Sequence, residues 1–98
     1  MTFAIEFAPE AIDHVKGLSA FDRATVVEQI EVQLANQPEA ETRNRKMMRE
    51  NPLAKWELRV GALRVFYNVI SEEPKVRVVA VGRKEGNRFF IGGEEVQL

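Results

Sequence analysis

The chain has 98 residues, 45% of them hydrophobic and 30% charged, with a net charge of −1 and no cysteine. That composition describes one domain with room for a single core, and it excludes disorder and a disulfide framework. Thiol catalysis and thiolate metal sites are excluded as well, and a single histidine cannot build a multi-histidine centre, so we expect no metal and no cofactor. No apolar run approaches bilayer-spanning length and no signal-peptide pattern opens the chain, which fits a cytoplasmic protein without a membrane partner. The near-neutral total hides a split: residues 1–42 carry −6, residues 43–88 carry +7 and residues 89–98 carry −2. A basic half points to an anionic partner, a nucleic acid or an acidic protein segment.

Thr2 to Phe7 alternates, with Phe3, Ile5 and Phe7 on one face, and predicts a half-buried strand. Pro9 suits the first position of a helix whose apolar side is Ile12 and Val15 and which Gly17 stops. His14 has no second ligand in phase and reads as a surface or packing residue. Ser19, with Asp22 three residues on, caps a second helix running to Asn36. Its apolar stripe is Val27, Ile30 and Leu34, widened by Val26 and Ala24. The segment from Glu39 to Pro52 reads as a solvated loop or a basic rim, with Arg43, Arg45, Lys46 and Arg49, pinned to the domain by Met47 and Met48.

The stretch from Lys55 to Ile70 predicts a hairpin around Gly61-Ala62, because Gly at the first central position suits a type II′ turn. That register sets Trp56 opposite Tyr67, Leu58 opposite Val65 and Val60 opposite Leu63 on an apolar face. The other face then carries Glu57 opposite Phe66, Lys55 opposite Asn68, and Arg59 opposite Arg64. Like charges side by side are unfavourable, so either an acid such as Glu57 bridges diagonally to one arginine or both arginines serve an anion. After a turn at Ser71–Pro74, Val76 to Val81 is too apolar for an edge and reads as a central strand. A basic, glycine-punctuated segment, 82–88, leads to Phe89-Phe90-Ile91 as a short strand or cover, and Gly92-Gly93 turns the chain again. The expected fold is α+β: an N-terminal strand and a two-helix hairpin packed on a mainly antiparallel sheet of about four strands, a single domain over residues 1–98. Phe3, Ile5, Val27, Ile30, Leu34, Trp56, Leu58 and Val65 are expected in its core.

This element order, the segment Leu58-Arg59-Val60-Gly61-Ala62-Leu63-Arg64-Val65-Phe66-Tyr67 and the segment Val78-Val79-Ala80-Val81-Gly82-Arg83-Lys84 resemble the RelE/ParE superfamily, the toxins of bacterial type II toxin–antitoxin modules. The resemblance covers nearly the whole chain, and the compact helical hairpin favours the RelE-like branch. It implies a cognate antitoxin as partner and a metal-independent endoribonuclease acting on messenger RNA at the ribosome. In that branch the open face of the sheet binds RNA, and basic side chains promote attack of a ribose 2′-hydroxyl on the adjacent phosphate. By resemblance Arg64 is the charge-stabilising catalytic residue and Lys84 the second, while Lys55, Arg59, Arg83, Arg88 and Phe90 contact RNA. Glu57 stands where the family has a second lysine. Phe89 and Phe90 stand where it has a tyrosine or histidine that transfers protons, and the family's C-terminal helix is interrupted by Gly92-Gly93. Two alternatives therefore stay open: a ParE-like inhibitor of DNA gyrase, and a degenerate toxin fold that only binds antitoxin or RNA.

Overall fold

The computed structural model describes residues 2–98. In chain order it has β1 (Ala4–Phe7), α1 (Pro9–Lys16), α2 (Ala20–Leu34), β2 (Arg45–Met47), β3 (Trp56–Val60), β4 (Leu63–Ile70), β5 (Lys75–Glu85), β6 (Arg88–Ile91) and β7 (Glu94–Val96). The α+β class is as expected, but the sheet has seven strands rather than about four, in the order β2-β3-β4-β5-β6-β7 with β1 parallel to β5. The added strands have local causes. β2 forms inside the basic segment because Arg45–Met47 pairs with Leu58–Trp56. The β6–β7 hairpin closes at Gly92 and Gly93, whose φ of +62° and +82° give the two left-handed positions of a type I′ turn. Among the described residues no helix is long and apolar enough to cross a membrane.

The organising strand is β5. β4 covers one edge along its length, and the other edge is shared by β1 at residues 75–78 and β6 at residues 82–85. Neither reaches Val81, so its N–H turns to the Nδ1 of His14 on α1, 3.3 Å away. His14 is thus a half-buried packing residue that plugs the gap between two strands. A bulge at Phe66/Tyr67 places Val79 out of register and changes the phase of β5. Val76 and Val78 therefore face the helices before the bulge and Val81 faces them after it, while Ala80 faces away.

The β3–β4 register is the predicted one throughout, with Trp56↔Tyr67, Leu58↔Val65, Arg59↔Arg64 and Val60↔Leu63. Gly61 sits at φ +59° as the turn requires. Trp56, Leu58, Leu63, Val65 and Tyr67 join Val26, Ile30 and Leu34 in the core between sheet and helices. The helical phases differ slightly from expectation. On α1 the buried pair is Ala11 and Val15 while Ile12 is exposed, and on α2 the stripe runs along Val26, Ile30 and Leu34 with Val27 half-buried and Ala24 exposed. Phe3 and Ile5 pack against the core but stay half-buried, because β1 is a short strand with one free edge.

Tyr67 is fully buried, and its hydroxyl donates to the carbonyl of Pro38 at 2.8 Å, tying the end of the helical hairpin to the sheet. Burial pushes its phenol well above the ordinary tyrosine value. The folded state therefore holds this proton at pH values where the unfolded chain has released it. The stability from Tyr67 is complete below the unfolded value and is lost as pH rises above about 10. Urea midpoints measured from pH 8 to 11 should fall more steeply for the wild type than for Tyr67→Phe, which lacks the titrating group. Equal slopes would mean that the phenol is not held protonated by the fold.

Candidate nucleic-acid interface

The sheet face opposite the helices is not the open polar surface that the hairpin pattern suggests. Phe66 and Ala80 are buried there beneath Ala54, with Met48, Leu53, Val79, Phe89, Ile91 and Leu98 packed around them. The loop from Met48 to Ala54 folds back over the sheet, and Asn51 holds its shape. Its Oδ1 accepts from the N–H groups of Leu53 and Ala54 at 2.8 and 3.1 Å, and its Nδ2 donates to the carbonyls of Arg49 and Ala54 at 2.8 and 3.0 Å. This second apolar cluster narrows the exposed polar surface to a strip along the end of the sheet near the Gly61 turn.

Cross-strand pairing assigns the strip. Lys46 lies beside Glu57, Arg59 beside Arg64, Arg64 beside Gly82, and Lys84 beside Phe89. Period two puts Lys84 on the face of Gly82 and Arg64, and turns Arg83 to the other side. Lys46, Arg49, Glu57, Lys84 and Phe89 line one recess of about 290 Å³. The Lys84 ammonium stands 5.7 Å from the Phe89 ring centre, within cation–π range. Phe89 in turn meets Phe66 edge to face at 5.9 Å, which fixes the ring at the rim of the apolar cluster. At Gly82 a Cβ would fall 2.4 Å from the Phe90 carbonyl oxygen and 2.8 Å from Ile91, so only glycine lets β6 approach and deliver Phe89.

Arg64 is buried, 7% exposed, and so is Glu57 at 4%. The guanidinium Nη1 donates to the carbonyls of Gly61 at 2.7 Å and Leu63 at 2.9 Å, and Nε lies 3.3 Å from Glu57 Oε1. Glu57 is thus the diagonal acid that relieves the Arg59–Arg64 repulsion, but in a buried pair rather than a solvated one. Burial lowers the pKa of the Arg64 guanidinium, Glu57 opposes the shift and Arg59 adds to it.

The charge split of the sequence shrinks once the chain is folded. Glu6 takes Lys75, at 3.0 Å, and Arg77. Asp22 on α2 takes Arg83 at 3.2 Å, and Glu95 lies 3.8 Å from Arg88. Arg45, read as part of a basic rim, donates from Nη1 to the carbonyls of Gln33 and Gln37 at 2.8 and 2.9 Å and closes the C-terminal end of α2. Among the described residues, Lys46, Arg49, Lys55, Arg59 and Lys84 of the β2–β5 region form no ion pair. Uncommitted positive charge therefore concentrates on the strip.

Of the residues singled out from sequence, Lys84, Arg64 and Arg59 lie on this face, and Lys55 is exposed at the base of the hairpin. Arg83, Arg88 and Phe90 lie on the helix-bearing side, Phe90 by its pairing with Arg83. Arg83 and Phe90 line a larger hollow of about 600 Å³ with His14, Leu18 and Gly92. That hollow is bigger, but its one arginine is already paired with Asp22, so the smaller recess is the better anion site. The residues that sequence reasoning left out of the site are Lys46, Arg49, Glu57 and Phe89. Extending the Lys84 row across to β6 would have found Phe89; the return of the 48–54 loop left no periodic signal.

Residues 5–88 match a family model described as the ParE toxin of the type II toxin–antitoxin system, parDE. Among solved structures, the RelBE2 toxin–antitoxin complex of Mycobacterium tuberculosis is similar with a TM-score of 0.75 at 23% identity, covering 86% of this chain and 93% of that one. The isolated Escherichia coli RelE toxin gives 0.69 at 22% identity over 85% of each chain. The RelE–RelB complex of the archaeon Pyrococcus horikoshii gives 0.69 at 15% identity over 88% and 98%. At these identities the structural likeness establishes the fold. No curated protein sequence gives a significant match.

Proposed function

The chain belongs to the ParE toxin family of type II toxin–antitoxin systems, and on that premise we propose that it is a toxin that cuts messenger RNA on the ribosome. The observation that carries this reading is the convergence of uncommitted cations and one fixed aromatic ring on the helix-free face. Lys46, Arg49, Arg59 and Lys84 offer charge to a phosphate backbone, and Phe89 offers a stacking platform to an unpaired base. Arg64, held by two carbonyls and Glu57, adds a positive charge that does not reorganise as the phosphorane forms. Lys84 is the solvent-reachable cation able to meet the phosphate and to give a proton to the leaving 5′-oxygen.

Toxin–antitoxin complexes among the structural relatives support a cognate antitoxin as partner. We read it as setting acidic side chains against Arg59 and its neighbours, where it would compete with RNA. A second reading rests on the family model, which bears the name of the gyrase-directed branch. The short hairpin, 8 residues in α1 and 15 in α2, speaks against it. Purified protein assayed side by side for cleavage of ribosome-bound messenger RNA and for inhibition of gyrase supercoiling separates the two. We expect cleavage and unaffected gyrase; gyrase inhibition without cleavage would overturn the proposal in favour of the second reading.

A further inference from the structure

Attack by a 2′-hydroxyl needs a group to take its proton, and neither Phe89 nor Phe90 can do so. We propose that Glu57 is that general base, an inference that rests on the ribonuclease reading. Glu57 is the one acidic side chain lining the recess that also holds Lys46, Arg49, Lys84 and Phe89. No hydrogen bond is formed to its side chain among the described residues, and Arg64 is its one ionic partner. Among the described residues, the only fully buried side-chain polar atom without a hydrogen bond is Arg64 Nε. The Glu57 oxygens, which also lack one, are therefore open to the recess.

The surroundings suit the role. The Glu57 side chain is only 6% exposed, but it meets the Arg64 guanidinium on one side and borders the recess on the other. Arg64 on β4, Lys46 directly across on β2, Arg49 on the loop and Lys84 on β5 surround it with positive charge. In the reaction, the 2′-hydroxyl proton passes to Glu57 as the 2′-oxygen bonds to phosphorus. The P–O5′ bond breaks, and the 5′-oxygen takes a proton from the Lys84 ammonium. The products are a 2′,3′-cyclic phosphate and a 5′-hydroxyl, and water returns the proton from Glu57 to Lys84. A lysine at this position could accept a proton only after losing its own, so glutamate supplies by type what the phenylalanines cannot.

The test compares wild type, Glu57→Gln and Glu57→Asp in single-turnover cleavage of ribosome-bound messenger RNA, with ribosome affinity and thermal melting measured on the same preparations. Glu57→Gln should bind ribosomes within about threefold of wild type and cleave about 10²–10⁴-fold more slowly, the range of general-base contributions. Glu57→Asp keeps the ion pair and withdraws the carboxylate by one methylene, so it should fall between the two. Wild-type cleavage matched by a folded Glu57→Gln would overturn the inference and leave the ribonuclease reading standing. If Glu57→Gln does not fold, Glu57→Asp decides, and a folded Asp variant at the wild-type rate overturns it equally. A wild type that cuts no messenger RNA ends the ribonuclease reading itself, and the inference with it.

Discussion

Arg64→Ala is expected to destabilise the fold by about 3–5 kcal/mol, the cost of breaking a buried ion pair by removing one partner. Both side chains are nearly inaccessible, at 8% for Arg64 and 6% for Glu57, so solvent screening does little to soften the loss. The substitution strands the Glu57 carboxylate and leaves the Gly61 and Leu63 carbonyls without their donor. From the sequence alone, relief of the Arg59–Arg64 repulsion would have made this substitution neutral or stabilising. The buried acid reverses the sign. Replacing both members, as Glu57→Leu with Arg64→Met, should recover much of the loss, because an apolar pair removes the two desolvated charges together. Urea denaturation of the three proteins checks this, and a single variant within about 1 kcal/mol of wild type would show that the pair is screened as a surface one is.

Lys84→Ala should lower messenger RNA cleavage about 10²–10³-fold, the typical loss of one well-placed charge donor at a developing anion, while the fold persists. The strand does not depend on the side chain: the Lys84 N–H donates to the Ala62 carbonyl at 2.9 Å whatever residue stands there. The ammonium forms no ion pair among the described residues, so its removal strands no partner. Lys84→Arg should recover part of the activity, since charge is kept while geometry and proton donation change. Growth arrest on expression without antitoxin, read beside the melting temperature, separates lost chemistry from lost fold. A folded Lys84→Ala variant as toxic as wild type would remove this residue from the site.

The comparison of these residues shows where the sequence was informative. The β3–β4 register could be derived residue by residue because Gly61 fixes the turn and period two fixes everything outward from it. Tyr67 was placed on the core face by the same count, and the structure buries it there. Arg83, Arg88 and Phe90, assigned to RNA contact by resemblance, are turned to the helix-bearing side of the sheet, because adjacent residues on a strand point to opposite sides and a family motif does not carry that parity. The return of the 48–54 loop was invisible for a different reason. It is held by the four hydrogen bonds of one side chain, Asn51, and by scattered apolar contacts, none of which has a period. Net charge by segment indicated an anionic partner but overstated the available cations, because Arg45, Arg64, Lys75, Arg77 and Arg83 are engaged within the fold.

The central claim is that the helix-free face, at Glu57, Lys84 and Phe89, is where RNA is cut. Its most direct test is the chemistry of the RNA ends after defined messenger RNA, programmed into purified ribosomes, is incubated with wild type and with Lys84→Ala. The account predicts discrete cuts by wild type that leave a 2′,3′-cyclic phosphate upstream and a 5′-hydroxyl downstream, at sites that a 2′-deoxy substitution at the attacking ribose abolishes, and few or no cuts by Lys84→Ala. Intact messenger RNA with a toxic wild type, or cuts that persist at a 2′-deoxy position, would contradict it.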